Sequence, residues 1–387
     1  MKRGLIILLF LNLKSFSQET IVFSAKEAGY DIFRIPAIIQ ISENQLMAFA
    51  EGRVNGSNDF GNIDIVFKKS NDGGSTWTAL SILVDNKKLQ AGNPAPVVDN
   101  MDPAYPSGVI YLFYNTGNNH EYEVRKGNGV REVWFVKSVD QGITWSSPVN
   151  ITAQVHRPNN PSYNSIYQYL EDWRSYANTP GHAIQLKSGK YAGRIFIPAN
   201  HSYGNPQNGF LDYRAHAFYS DDHGKTFQLS SNIDIPGSNE STAAEISNGK
   251  VLMNIRNQHG KPRKRILAVS SNDGLNWDRS YFSNELIDPV CQGSMLNITY
   301  HRKKYLLFSN LHATNARDSL RIKFSVDDGV TWKNSVFIET APSNYKGDWA
   351  AYSDLVEINK QSIGILYERK NYTEIVFKKL ERKKIIN

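Results

Sequence analysis

The chain has 387 residues, of which 40% are apolar, 21% charged and 12% aromatic, a composition that supplies a large core and contains no low-complexity block. Its formal charge is +7, or +4 without Lys2, Arg3 and Lys14 of the N-terminal leader, an excess compatible with an anionic substrate and explained equally well by solubility. No dense Lys/Arg stretch interleaved with aromatic residues argues for nucleic acid, and the basic run 261–265 reads as a solvated turn.

The N-terminus, MKRGLIILLFLNLKSFSQ, has a basic start, an apolar run at 5–11 and small polar residues at 15–17. It reads as a cleaved secretory signal over 1–17, leaving 18–387 as one domain, secreted or periplasmic. The apolar run is far short of the roughly 20 residues that a membrane span needs. Cys291 is the only cysteine, so no intramolecular disulfide forms and stability rests on packing. The nine histidines are scattered and show no metal-ligand spacing, so neither a metal nor a cofactor is expected.

The first repeating unit begins with an apolar, β-rich segment at 33–41 (FRIPAIIQI), followed by a turn at 42–44, a return strand at 45–50, a Gly/Asn loop at 52–62, and a third strand at 63–69. That strand runs into SNDGGSTW at 70–77, with a fourth strand near 80–84. Close copies of the octapeptide follow: SVDQGITW at 138–145, SDDHGKTF at 220–227, SNDGLNW at 271–277 and SVDDGVTW at 325–332. Four fit Ser-x-Asp-x-Gly-x-Thr-aromatic in full, and the copy at 271 is read as one residue short. The chemistry is that of a tight turn: Asp accepts backbone N–H groups, Gly supplies a positive φ, and the aromatic residue buries beside the sheet. Starts separated by 68, 82, 51 and 54 residues suit four-stranded blades with loop insertions, so the fold class is all-β, a six-bladed propeller.

The same parse recurs with strands at 94–98, 109–114 and 132–137, then 182–186, 194–199 and 214–219, then 241–246, 250–256 and 265–269, then 293–300, 304–310 and 320–324. A sixth set, 351–358, 362–368 and 374–380, runs out of chain, and its outer strand is expected from 20–24, closing the ring. The connection 153–180 is long and carries Tyr163, Tyr167, Tyr169, Trp173 and Tyr176, too aromatic for disorder.

Successive strands of a blade run antiparallel, so the repeated turns share one face, and the starts of first strands share the other. On that open face fall Arg34, Arg53, Asp59, Glu240, Arg256, Arg317, Tyr352 and Glu368. Three arginines converging there, Arg34, Arg256 and Arg317, make an anion trap suited to a carboxylate. His182 also opens a first strand, where a structural role and a substrate contact are both open.

Motifs in order along nearly the whole chain, FRIP at 33–36, the five turns, NESTAAE at 239–245, MNIRN at 253–257, FSN with Arg317, AYSDL at 351–355 and LYE at 366–368, make it resemble the bacterial exo-α-sialidases of glycoside hydrolase family 33, which are Asp-box propellers. The resemblance implies that Arg34, Arg256 and Arg317 bind the substrate carboxylate and that Glu368 holds Arg34. It implies Tyr352 as nucleophile, Glu240 as its base and Asp59 as acid/base. Glu245 is a rival for the base. Arg53 either approaches the sugar or pairs with Asp59 or Glu51. The implied substrate is a sialylated glycan and the implied state a monomer. A non-catalytic glycan-binding propeller would keep the arginines but has no use for the Tyr352 and Glu240 pair.

Overall fold

The computed structural model describes residues 19–386, so the leader expected at 1–17 lies outside the described residues. No helix in it is long and apolar enough to cross a membrane. Its strands are nearly continuous apolar runs: Leu46, Met47, Ala48, Phe49 and Ala50 all have zero exposure, because each sheet is sandwiched between two neighbours and buries both faces.

The result is an all-β propeller. The first repeating set is Ile32–Ser42, Gln45–Arg53, Ile63–Ser70 and Ser81–Val84, and the second is Gln90–Asp99, Val109–Gly117, Arg131–Ser138 and Val149–Asn150. Three further sheets follow in chain order. One is built on Trp173–Asn178, Ile184–Gln185, Ile195–Tyr203, Tyr213–Ser220 and Gln228–Leu229. The next runs from Ser238–Glu245 through Val251–Asn257 and Lys264–Ser270 to Arg279–Ile287, and the third from Ser294–Tyr300 through Lys303–Leu311 and Leu320–Ser325 to Lys333–Glu339. The last sheet pairs Ala350–Asn359, Ser362–Arg369 and Glu374–Glu381 with Glu19–Ser24.

Six separate sheets were expected, and the hydrogen bonding divides otherwise. Four sheets stand alone with four or five strands, and the first two sets merge into one of eight. The reason is local: the strands carrying Ile63 and Gln90 approach closely enough to form one parallel bridge pair. The expected closing strand is present, with Glu19↔Lys378 through Ser24↔Glu374 in antiparallel register. The long connection is a correction. Trp173–Asn178, read as loop, pairs with one end of Ile195–Tyr203, while Ile184–Gln185 pairs with the other end. The inner strand of this sheet is therefore split, and 179–183 crosses between the halves.

The repeated turns share one hydrogen-bond pattern. In the first, Asp72 Oδ1 accepts the Ser75 and Thr76 amides at 3.0 and 2.9 Å, Thr76 Oγ1 donates to Asp72 Oδ2 at 2.6 Å, and Gly74 N–H donates to Ser70 Oγ at 2.8 Å. The copy read as short is full length: it starts at Ser270, with Asn272 accepting the Asn276 amide at 3.0 Å and Gly274 donating to Ser270 Oγ at 2.9 Å. Asn in place of Asp disguised its start. The turn glycine is needed twice over: Gly74 has φ 89°, and a Cβ there would lie 1.9 Å from Phe377 of the last sheet. Trp77 meets the same ring edge-on at 5.5 Å, so the first turn docks on the last sheet. Among the described residues six apolar clusters fill the spaces between successive strand sets, such as the one joining Val22, Phe33 and Val66 to Val356 and Phe377.

Candidate active site

Strand polarity predicts that the repeated turns and the candidate residues lie on opposite faces, and the cavities agree. One, of about 300 Å³, is lined by Ser325, Val326 and Asp328 of a repeated turn together with Glu245. Glu245 accepts the Lys187 amide at 2.5 Å and the Ser188 hydroxyl, which removes it as a rival to Glu240. The other, a cleft of about 360 Å³, is lined by Arg34, Arg53, Asp59, Glu240, Arg256, Arg317 and Tyr352. Of the eight candidates only Glu368 is absent from its wall, being fully buried behind it.

Glu368 lies one residue before the end of Ser362–Arg369 in the last sheet and acts as a hub. Arg34 Nε donates to it at 2.7 Å, the Ile35 amide at 2.8 Å and the Tyr352 amide at 3.1 Å. Ile35 is held at φ 55°, a conformation costly for a β-branched residue, at the register shift between Arg34 and Ala37. That shift turns Arg34 toward the cleft. Burial disfavours the charge on Arg34, but Glu368 outweighs it and keeps the guanidinium charged.

Tyr352 is the third residue of Ala350–Asn359, Glu240 lies in Ser238–Glu245, and Arg256 in Val251–Asn257. Their side chains meet: the Tyr352 hydroxyl donates to Glu240 Oε1 at 2.5 Å, and Arg256 Nη1 donates to Tyr352 Oη at 2.9 Å and to Glu240 Oε2 at 2.6 Å. Burial and then the Glu240 carboxylate push the Tyr352 phenol well above its usual value, so the resting hydroxyl is neutral. Burial opposes the Arg256 charge, and Glu240 again outweighs it.

Arg317 completes the trio through a residue that sequence reasoning missed. Its Nη1 donates to Tyr372 Oη at 3.0 Å, and the Arg34 guanidinium stacks on the Tyr372 ring at 3.8 Å from the centroid. Burial pushes the Tyr372 phenol up to about 12, and its hydroxyl donates to Asp348. Lys370, Asn371 and Tyr372 all have positive φ, three strained residues in a row that aim this ring between two arginines. A Tyr within a turn carries no sequence signal for that role.

Arg53 lines the cleft and is paired with both acidic partners offered for it, donating to Glu51 Oε2 from Nη2 at 2.6 Å and to Asp59 Oδ1 from Nη1 at 2.7 Å. The Asp59 side chain is 71% exposed at the mouth of the cleft. Desolvation raises its carboxyl, but Arg53 beside it wins and holds the group below the ordinary range.

His182 is settled as structural. It does not line the cleft; its amide and Nδ1 bind Asp354 at 2.9 and 2.7 Å, and Asp354 also takes the Ile38 amide and the Ser294 hydroxyl. One buried carboxylate thereby joins the sheets built on Ile32–Ser42, Ile184–Gln185, Ser294–Tyr300 and Ala350–Asn359. The run 261–265 is a partial correction: Lys261 to Arg263 are exposed, but Arg265 has zero exposure and donates to Asn254 Oδ1 at 2.7 Å and to the Cys291 carbonyl at 2.5 Å. The one group of metal-capable side chains among the described residues, Asp99, Asp102 and His223, lies away from the cleft. Its Asp99 oxygens are engaged by His223 Nδ1 at 2.7 Å, Gln185 Nε2 at 2.5 Å and the Met101 amide at 2.9 Å.

Comparison with known proteins matches the BNR repeat-like domain over residues 44–365. The chain is 28% identical over 376 residues to a sialidase of Micromonospora viridifaciens, covering 91% of this chain and 52% of that one. It is 27% identical over 391 residues to a sialidase of Bacteroides fragilis, covering 93% and 64%. It thus spans about half to two thirds of the length of these relatives. Among solved structures it superposes on a Hadza microbial sialidase, Hz136, with a TM-score of 0.75 and 25% identity, covering 92% of this chain and 67% of that one. A leech intramolecular trans-sialidase shares the fold at TM-score 0.74 and 17% identity, covering 96% and 71%. With all five repeated turns inside the matched span and the propeller common to these structures, the chain belongs to the BNR repeat-like family.

Proposed function

We propose that this protein is a retaining exo-α-sialidase that hydrolyses terminal α-linked sialic acids of glycoproteins, glycolipids or oligosaccharides. The observation that carries the reading is the 2.5 Å contact of the Tyr352 hydroxyl with Glu240 in a cleft shared with Arg34, Arg256 and Arg317. The curated relatives named as sialidases support it.

The anomeric carbon of a sialic acid bears a carboxylate. Bound across the three arginines by charge-assisted hydrogen bonds, that carboxylate would repel an anionic nucleophile but not a neutral phenol. Tyr352 Oη bonds to the anomeric carbon while its proton passes to Glu240, and Arg256, already donating to both, steadies the shifting charge. The glycosidic C–O bond breaks as Asp59 protonates the departing oxygen. Asp59 then takes a proton from water, whose oxygen displaces the tyrosine from the anomeric carbon, and Tyr352 recovers its proton from Glu240. Two displacements give net retention, and tyrosine nucleophiles are a noted exception to the two-carboxylate scheme of glycosidases. Asp59, an anion while paired with Arg53, takes the proton it delivers from solvent as a bound glycan covers it and weakens that pairing.

The same reading treats the eight-stranded sheet as two blades of a six-bladed ring. Its halves are joined by a single bridge pair, and six apolar clusters separate six sets of four or five strands. The enzyme works as a monomer, directed to the periplasm or exterior by the leader at 1–17.

A fluorogenic α-sialoside tests the reaction: wild type is expected to turn it over, and Tyr352→Phe to lose about 1,000-fold or more in kcat with its fold intact. No wild-type turnover ends the hydrolase reading, and a Tyr352→Phe enzyme near wild type ends the nucleophile assignment.

A further inference from the structure

Tyr352 stands at a break in its own strand pairing. The ladder between Ala350–Asn359 and Ser362–Arg369 shifts register between Ala350 and Ser353, so the backbone around the tyrosine is not carried by regular pairing. Ala350–Asn359 is also the last strand of its sheet, with no strand among the described residues on its free side. Two side chains take over. Glu368 accepts the Tyr352 amide on one side. On the other, Gln292 brackets the next residue: the Ser353 amide donates to Gln292 Oε1 at 3.0 Å, and Gln292 Nε2 donates to the Ser353 carbonyl at 3.0 Å and the Pro180 carbonyl at 2.9 Å. With one donor and one acceptor turned to the same residue, this carboxamide pairs Ser353 as a neighbouring strand would.

Gln292 is itself held rigidly. It is 1% exposed. On one side the Cys291 carbonyl accepts from Arg265 and the Cys291 amide donates to Asp288 Oδ1 at 3.2 Å. On the other, a Cβ on Gly293 would lie 2.7 Å from the Ser309 carbonyl and the Phe308 ring, so the chain passes there without slack. Arg265 also binds Asn254, two residues before Arg256 on the same strand. A continuous buried chain, Asn254, Arg265, Cys291, Gln292 and Ser353, therefore ties the strand carrying Arg256 to the strand carrying Tyr352.

We infer that Gln292 is a positioning residue for the reaction: through the Ser353 peptide it fixes Tyr352 Oη at hydrogen-bond distance from both Glu240 and Arg256. The inference rests on the tyrosine reading above. Gln292 does not line the cleft, and it acts on the alignment of the nucleophile rather than on the anion trap.

Gln292→Met, which keeps the volume and removes the hydrogen bonds, and Gln292→Asn, which keeps the amide one carbon short, test this in protein shown to be folded by circular dichroism and melting. On the fluorogenic α-sialoside kcat is expected to fall about tenfold or more, since misplacing a reacting group by roughly 1 Å costs about 100-fold. KM and the inhibition constant of free sialic acid are expected to stay within about threefold, because Arg34, Arg256 and Arg317 are untouched. A kcat within about twofold of wild type in either folded variant overturns the inference, as does a parallel loss of kcat and of sialic acid affinity, which is the mark of general loosening. Should Gln292→Met fail to fold, Gln292→Asn decides by the same criteria. Tyr352→Phe measured alongside separates the two claims. If it is active, the tyrosine reading fails; if it is inactive while the Gln292 variants match wild type, only the positioning inference fails.

Discussion

At the scale of single residues, the cleft balances charge by tethering each cation differently. Arg34 leans on Glu368, Arg256 on Glu240, and Arg317 on Tyr372 with Asp348 at 3.9 Å. The fully buried tether, Glu368, is remote from solvent, whereas Glu240 faces the cleft and accepts from the Tyr352 hydroxyl. Asp59 differs from all of these in its exposure and in the Arg53 pairing that keeps it an anion. An acid is needed most where the departing alcohol is a poor leaving group. Asp59→Asn is therefore expected to cut turnover of a sialylated oligosaccharide by about 100- to 1,000-fold and that of an aryl sialoside with an acidic phenol far less. Equal losses on the two substrates would remove Asp59 from the acid role.

At the scale of elements, the split inner strand of the third sheet packs over an unusual core. His156, His201 and His216 are completely buried there, with Trp173 stacked on His201 at 3.5 Å and His201 Nδ1 3.1 Å from His216 Nδ1. Burial pushes all three below the ordinary histidine value, His216 to about 3. Their neutral forms are favoured in the folded chain, so their stabilising contribution is complete above the unfolded value near 6.5 and is lost as pH falls toward the folded values. His182 has the opposite sign. Burial lowers it but Asp354 raises it further, so its contribution is complete below about pH 6.5 and fades as pH rises through its raised value. The repeated-turn carboxylates act later. Burial raises Asp72, but the Thr76 and Ser70 hydrogen bonds overcome this and hold it at about 2, so its share is lost only between about pH 4 and pH 2. Melting temperature is accordingly expected to fall from pH 7 to pH 5, as the unfolded chain takes up protons that the three buried histidines resist. His216→Phe is expected to flatten the slope. A melting temperature unchanged across that interval would refute the account.

At the scale of the whole molecule, closure depends on chain ends that are far apart in sequence. Glu19–Ser24 supplies the outer strand of the last sheet, with Phe23 at zero exposure in the cluster shared with Phe33 and Phe377. Deleting residues 18–28 is expected to cost at least the 3–5 kcal/mol or so of emptying one buried Phe site. Urea unfolding measures it, and an unchanged midpoint would show that the ring closes without this strand. The first two strand sets also share an apolar cluster, and the Ile63 and Gln90 bridge adds one pair to that packing.

Much of this protein was legible in its sequence because the decisive interactions are local. The repeated turn closes through hydrogen bonds between residues no more than four apart, Ser70 to Gly74 and Asp72 to Thr76, so its signature survives in eight letters and strand polarity follows from it. The copy at Ser270 was misjudged because Asn272 keeps the acceptor geometry under another letter. Polarity in turn assigned Arg34, Glu240, Arg256, Arg317 and Tyr352 to one face. What only the tertiary structure decided is which side chains touch across that face. Glu240 meets Tyr352 across 112 residues and Arg34 meets Glu368 across 334, and Tyr372 and Gln292 reach their partners from turns and loops with no periodic pattern. Periodicity in a sequence records which face of a sheet a residue occupies. Distances between residues on different sheets depend on how the ring closes, on a register shift at Tyr352 and on strained backbone at Ile35 and Tyr372, none of which follows from local preference.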